Sequence, residues 1–226
     1  TEAHIASRPA LERVTVEKLF IKEKINQTES LRQALENGAF NDSALITYVY
    51  DDWARLAEGV RCRSEAAKME VLSTGKMTVK ENGLNFSVDF GVPNGNTGFD
   101  IDVSTPDKNV LAQIEEIVET ARDKGFTVSG MVLSGSVLSK MLTNEGISKA
   151  IYGGAGAGAM VSRTQLVGLF NELFGITEIR TNDLRYNVEG KDGKLTTQRF
   201  WGKSKVSFLA SYNGLQNFGV GLWGVT

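Results

Sequence analysis

Residues 42 to 72 constrain the fold more than any other stretch of the chain. Ile46, Val49, Trp53, Leu56, Val60, Ala67 and Val71 recur at steps of three, four or seven, the period of a helix with one buried apolar stripe. About thirty residues at a rise of 1.5 Å span roughly 45 Å, well beyond the three turns of an average helix. Something has to lie along it. The opposite face carries Asp51, Asp52, Arg55, Glu58, Arg61, Arg63, Glu65 and Lys68, mixed in sign and partly at i,i+3 and i,i+4 spacing, as on an exposed helix surface. Asp42 or Ser43 suits the N-terminal cap, and Gly75 suits the left-handed residue at the other end. The apolar spacing does not sustain a strict heptad, so a coiled coil is not expected.

The helix belongs to a chain of 226 residues, 41% apolar, long enough for one large domain or two small ones. Twenty-five basic and 27 acidic residues leave a net charge of −2, with no like-charge run to track a phosphate backbone. Cys62 is the sole cysteine, which excludes an internal disulfide or a cysteine zinc cluster and fits a reducing compartment. No window approaches eighteen consecutive apolar residues and no signal-peptide pattern opens the chain, so a soluble, unexported protein is expected. The first residue is threonine and Phe218 to Thr226 is a strand-like apolar run without a closing turn. A fragment or processed chain, truncated at its C-terminus, is therefore expected.

Before the helix, Val14 to Ile25 mixes apolar with charged residues and predicts one long strand, part of a ribbon that needs a neighbour, since an isolated two-stranded ribbon is marginal in water. Gln27 to Glu36 predicts a short helix. Beyond Gly75, Lys76–Lys80 and Leu84–Phe90 flank Glu81-Asn82-Gly83, a strong hairpin signal. Pro93 to Gly98 reads as a linker, with a second domain from about Phe99. Ser104-Thr105-Pro106 predicts a helix start, with Val110, Ile114, Ile117, Val118 and Ala121 buried before Gly125. A strand over Phe126–Leu133, burying Val128, Met131, Val132 and Leu133, and a helix over Ser136–Leu142 predict an α/β layer. Ser162-Arg163-Thr164-Gln165 is a capping box for a helix burying Leu166, Leu169, Phe170 and Leu173. Strands are expected at 176–180, 184–188, 195–201 and 206–210, with Gly190-Lys191-Asp192-Gly193 closing a hairpin.

The loop Gly153 to Ala159 matches the relaxed dinucleotide pattern G-x-G-x-x-A and precedes a helix. That pattern needs a strand directly before it and an acidic residue about twenty positions on. Ile147–Tyr152 reads as a short helix or irregular segment, and no P-loop lysine follows, so a surface loop is expected. His4 is the only histidine, which excludes a histidine metal cluster and makes a triad improbable. Cys62 lies in the helix and is expected to pack. Asp100 and Asp102 are expected to be solvated, and Asp51-Asp52 to be a charged face. No catalytic, cofactor or metal site is expected.

The order of charged ribbon, very long helix, hairpin and α/β domain resembles the major capsid proteins of tailed bacteriophages, of the phage lambda type (the major capsid protein E family, with the HK-ninety-seven-like fold). The resemblance is carried by residues 66–76 (Ala-Ala-Lys-Met-Glu-Val-Leu-Ser-Thr-Gly-Lys), Val88-Asp89-Phe90-Gly91, Gly125-Phe126-Thr127 through Met131-Val132-Leu133-Ser134, and residues 142–147. It implies an α+β capsid fold. Residues 1–41 would form an extended β-ribbon loop, 42–92 the spine helix and sheet of a peripheral domain, and 99–226 an axial domain lacking the peripheral domain's return. It further implies a structural, non-enzymatic protein that assembles into pentamers, hexamers and an icosahedral head around double-stranded DNA. That protein would reside in the virion, and in the host cytoplasm during assembly, away from membranes, with scaffold, portal and decoration proteins as partners. Expected assembly contacts are Val14, Val16, Phe20 and Ile21 on the ribbon, and Gly154, Gly156 and Gly158 near the capsomer axis. Lys18, Lys22 and Lys24 lie in the loop that some members crosslink, but no asparagine partner is matched. Alternatives are an encapsulin-like cargo shell of the same fold and, from another class, a nucleotide-binding enzyme using the loop 153–159.

Overall fold

The computed structural model describes residues 32, 33, 36, 42–81, 84–92, 95–156, 158–190 and 194–212. The chain divides into two compact units, residues 1–63 and 64–226. Of the first unit, residues 32, 33 and 36 are helical, within the short helix expected at 27–36, and the first part of a long helix is described. The ribbon expected at 14–25 and His4 lie outside the described residues.

That helix, α1 (Asp42–Thr74), extends 33 residues. Its end is built as the sequence predicts. Gly75 takes φ +72° and its amide donates to the Val71 carbonyl at 2.7 Å, leaving the helix through a conformation that costs a residue with a Cβ roughly 1–2 kcal/mol. The Gly75 carbonyl accepts from Phe90 N at 3.0 Å, and Glu70 Oε1 accepts from Thr78 N at 3.0 Å. These bonds dock the hairpin on the helix end. The hairpin is β1 (Lys76–Glu81) and β2 (Leu84–Asp89), antiparallel from Lys76↔Asp89 to Glu81↔Leu84. Lys76 Nζ and Asp89 Oδ2 pair across it at 3.0 Å.

The expected stripe of α1 is not uniformly buried. Ala67 is buried and Leu56 and Val71 are half-buried, whereas Trp53 and Val60 are exposed. Periodicity identifies an apolar face, but it does not say that the same chain covers it.

The core lies in the second unit, around a three-stranded sheet ordered β4-β3-β7. The central strand β3 (Phe126–Leu133) is parallel to β4 (Glu178–Thr181) and antiparallel to β7 (Val206–Tyr212). Between β3 and β4 the chain passes through α3 (Gly135–Leu142), α4 (Glu145–Tyr152) and α5 (Arg163–Phe174), as a parallel crossover requires. The register across β7 shifts between Val128 and Gly130, a bulge that advances the pleat by one residue. Val128, Met131 and Leu133 consequently join one core with α2 (Val110–Asp123) and the crossover helices, while Val132 is only half-buried.

Local chemistry explains the helix starts. Ser134, Asn144 and Ser162 sit in extended backbone and accept from the third amide beyond them; Ser162 and Gln165 form the expected capping box. Two expectations are corrected. Ser104-Thr105-Pro106 does not start α2, which begins after Asn109, whose side chain accepts from Ala112 N. The Pro106 carbonyl instead accepts from Glu145 N at 2.8 Å and Asn144 Nδ2 at 2.9 Å. In α5 the buried residues are Leu166, Phe170 and Phe174, whereas Leu173 is exposed. A second hairpin, β5 (Arg185–Glu189) with β6 (Leu195–Arg199), follows β4 and carries exposed Leu184 and Leu195. Trp201, fully buried, donates from Nε1 to the Lys205 carbonyl at 2.9 Å.

Candidate functional site

The glycine-alanine loop is held closed by its own hydrogen bonds. Gly153 ends α4 at φ +79°, donating to the Lys149 carbonyl at 2.9 Å. Gly156 N then donates to Gly153 O at 2.9 Å, and Ala159 N to Gly156 O at 3.0 Å. Beneath them the fully buried Ser148 places Oγ against the carbonyls of Gly156 and Ala159. Tyr152 donates its hydroxyl to Gln165 Oε1 at 2.8 Å, which also accepts from Ser162 N at 3.0 Å. A Cβ on Gly156 would collide with the Tyr152 side chain.

This arrangement does not suit a dinucleotide. The element before the loop is the helix α4, whereas the fingerprint needs a strand. Among the described loop residues, the Gly153, Gly156 and Ala159 amides are committed to carbonyls, leaving them unavailable to a phosphate. Gly154 and Gly158 are exposed and Gly156 is half-buried, so the loop is a surface feature. Exposed Met160 and Tyr152 flank it in the chain. Sequence reasoning missed Ser148; a serine on the short helix just before the glycine run, beside Ile147, was the available signal.

The segment between Asp100 and Asn109 is also more organised than expected. Asp102 is not simply solvated. Its Oδ1 accepts from Ser104 N at 2.9 Å and its Oδ2 pairs with Lys108 Nζ at 3.3 Å. The Ser104 hydroxyl and then its amide, with Lys108 beside them, lower the Asp102 carboxyl to about 2. Buried Asn144 ties this segment to α4, donating from Nδ2 to the Pro106 and Lys108 carbonyls at 2.9 and 2.8 Å while its Oδ1 accepts from Ile147 N at 3.1 Å. Both polar atoms of the Asn144 side chain are thus bonded to the chain itself, in three hydrogen bonds that fasten this segment to α4.

Beside β7 lies an open cleft of about 1110 Å³. Its walls come from the end of α1 (Val71, Leu72), Val92, the segment from Gly95 to Ile101, and β7 itself. Lys140, Lys203 and Lys205 also line it. Among the described residues, no group of three or more His, Cys, Asp or Glu could hold a metal ion, and no helix is long and apolar enough to cross a membrane.

The remaining surface of note is on α1. Tyr50 and Trp53, three residues apart and thus on one helix face, are each 72% exposed. Asp51 is exposed, and Asp52 and Cys62 on the same helix are half-buried. Val14, Val16, Phe20 and Ile21 lie outside the described residues.

No protein-family model matches the sequence, and no curated relative is similar to it. Among solved structures, the fold is similar to that of a candidate capsid protein of a prophage from E. coli CFT073, with 13% identity and a TM-score of 0.46 over 84% of this chain and 54% of that one, so the chain spans about half of that protein's length.

Proposed function

We propose that the chain is a structural shell protein of a tailed phage or prophage, which self-associates into pentamers and hexamers and then into an icosahedral head enclosing double-stranded DNA. The observation that carries this reading is the uncovered aromatic pair Tyr50 and Trp53 on a 33-residue helix. Covering a large apolar side chain contributes roughly 1.5–3 kcal/mol, and a shell repeats each such contact many times, so modest individual contacts suffice. The near-neutral charge suits a container that holds DNA without gripping its sequence.

On this reading residues 1–41 reach over a neighbouring subunit, 42–92 form a peripheral domain and 99–226 an axial domain. Val14, Val16, Phe20 and Ile21 supply contacts along the arm, with Gly154, Gly156 and Gly158 near the capsomer axis. The particles reside in the virion after assembly in the host cytoplasm, with scaffold, portal and decoration proteins as partners. The test is sedimentation and electron microscopy of the full chain and of Trp53→Glu. Closed particles from the unaltered chain and their loss in the variant are expected. A chain that stays monomeric at high concentration, or a variant that assembles equally well, refutes the proposal.

A further inference from the structure

The ribbon of β5 and β6 is anchored at its base and bare along its length. At the base, Asp183 Oδ1 accepts from Arg199 Nη1 at 3.0 Å and Oδ2 from Gly135 N at 2.9 Å, and Phe200 N donates to the Leu184 carbonyl at 3.2 Å. Beyond it, no residue of either strand is buried: Tyr186 and Arg199 are half-buried and the rest are exposed. Leu184, on the face of Tyr186 and Val188, is 68% exposed. An uncovered two-stranded ribbon is marginal in water, and a firm base presents this one to a partner.

The hydrogen bonds within the ribbon fix how such a partner can join. Phe200 N donates to Leu184 O and Gly190 N to Lys194 O at 2.8 Å, so the even-numbered residues of β5 turn their backbone groups towards β6. The N–H and C=O groups of Arg185, Asn187 and Glu189 therefore point to the other edge, where among the described residues no strand pairs with β5. Charged side chains on an edge ordinarily deter pairing, because like charges meet. Here the two charges are opposite in sign, with Asn187 midway between them. When a second copy of β5 lies antiparallel against the first, with Asn187 opposite Asn187, every outward backbone group finds a partner. The same register sets Arg185 opposite Glu189 at both ends and Tyr186 opposite Val188 between them. Opposite charges, and an aromatic against a β-branched residue, are among the cross-strand pairs that stabilise a sheet. A slip of two residues loses both kinds of pair and some of the hydrogen bonds. A patch that matches itself in this way is what a two-fold interface requires.

We propose that β5 is a self-pairing edge, which joins the ribbons of two copies of this chain into one antiparallel sheet about a two-fold axis at Asn187. The pairing needs only two copies, so it stands apart from the shell reading.

Two measurements on the full chain test it. In a Cys62→Ser background, Asn187→Cys forms a disulfide between chains under mild oxidation, because hydrogen-bonded antiparallel partners stand about 5.5 Å apart at Cα, within the span of a disulfide. Arg185→Cys in the same background does not, since its counterpart lies roughly 13 Å along the strand. Equal yields from the two positions, or no crosslink from Asn187→Cys at high protein concentration, overturn the proposal. In sedimentation velocity, Arg185→Glu sets like charges together at both ends and removes the two-copy species, and adding Glu189→Arg restores it. A single variant that associates like the parent, or a double variant that does not recover, overturns the register. Particles without the Asn187→Cys crosslink refute the pairing alone, whereas crosslinked dimers without particles refute the shell alone.

Discussion

Replacing Asn144 by alanine removes three hydrogen bonds at a site only 1% exposed. Two run from Nδ2 to the Pro106 and Lys108 carbonyls, and the third caps α4 at Ile147 N. A hydrogen bond in such a setting contributes a net 0.5–1.5 kcal/mol or so. The two carbonyls are not orphaned, because Pro106 O still accepts from Glu145 N at 2.8 Å and Lys108 O from Val110 N at 2.9 Å. The expected loss is therefore about 3 kcal/mol, read in urea as a fall in midpoint at constant slope. Asn144→Ser keeps a capping oxygen and recovers about 1 kcal/mol of it. Asn144→Asp also keeps the cap but sets a carboxyl against two carbonyl oxygens, which favours its protonated form and raises its folded pKa above the unfolded value near 3.9. Its penalty is then smallest below about pH 4 and grows by about 1.4 kcal/mol per pH unit until the folded pKa is passed. An alanine variant within about 0.5 kcal/mol of the parent, the usual range of surface substitutions, or an aspartate variant equally destabilised at pH 4 and pH 8, would refute the reasoning.

Gly75→Ala should lose about 1–3 kcal/mol in the same assay, because φ is +72° and the added Cβ would lie 2.6 Å from Val92 Cγ2; a neutral result would mean the helix end relaxes freely. Phe170→Ala, which empties a fully buried position stacked edge-on against Phe174 at 5.6 Å, should cost about 3–5 kcal/mol and lower the melting temperature accordingly. Asp102 has a folded pKa near 2, below its unfolded value, so its contribution is complete above about pH 4 and is lost as pH falls through about 2. Asp102→Asn should flatten that part of the melting-temperature profile; superimposable acid limbs would contradict the assignment.

Elements whose logic is local were legible in the sequence. The pairing of β1 with β2, the Ser162–Gln165 capping box and the glycine after α1 each rest on a few neighbouring residues, and all appear where expected. What tertiary partners decide was not legible. Pro106 occupies a favourable helix-start pattern, yet its carbonyl is held by Asn144, 38 residues on in the chain, and by the adjoining Glu145, and Asn109 takes the cap. The face of α5 was drawn one position off, and strict fourfold spacing of Leu166, Phe170 and Phe174 was the better guide. In α1 the period gave the stripe but not its cover. Gly130 inside a strand pattern was a signal for the bulge, and the half-burial of Val132 follows from it. At the candidate site, the glycine-alanine loop was located correctly, but Ser148, which fastens it, looked like an ordinary helical polar residue.

The bulge in β3 makes that strand's residue count as important as its residue types. Val128 and Met131 stand three positions apart, a spacing that in an unbulged strand points two side chains to opposite sides, and the extra residue between them lets both face the core. Deleting Ser129 would leave them two apart, on one side without any bulge, whereas inserting a residue there would turn one half of the strand over, and no exchange of side chains could repair both halves together. The hydrophobic core thus depends on a residue count in its central strand, a kind of information that substitution scans pass over and that only insertions and deletions reveal.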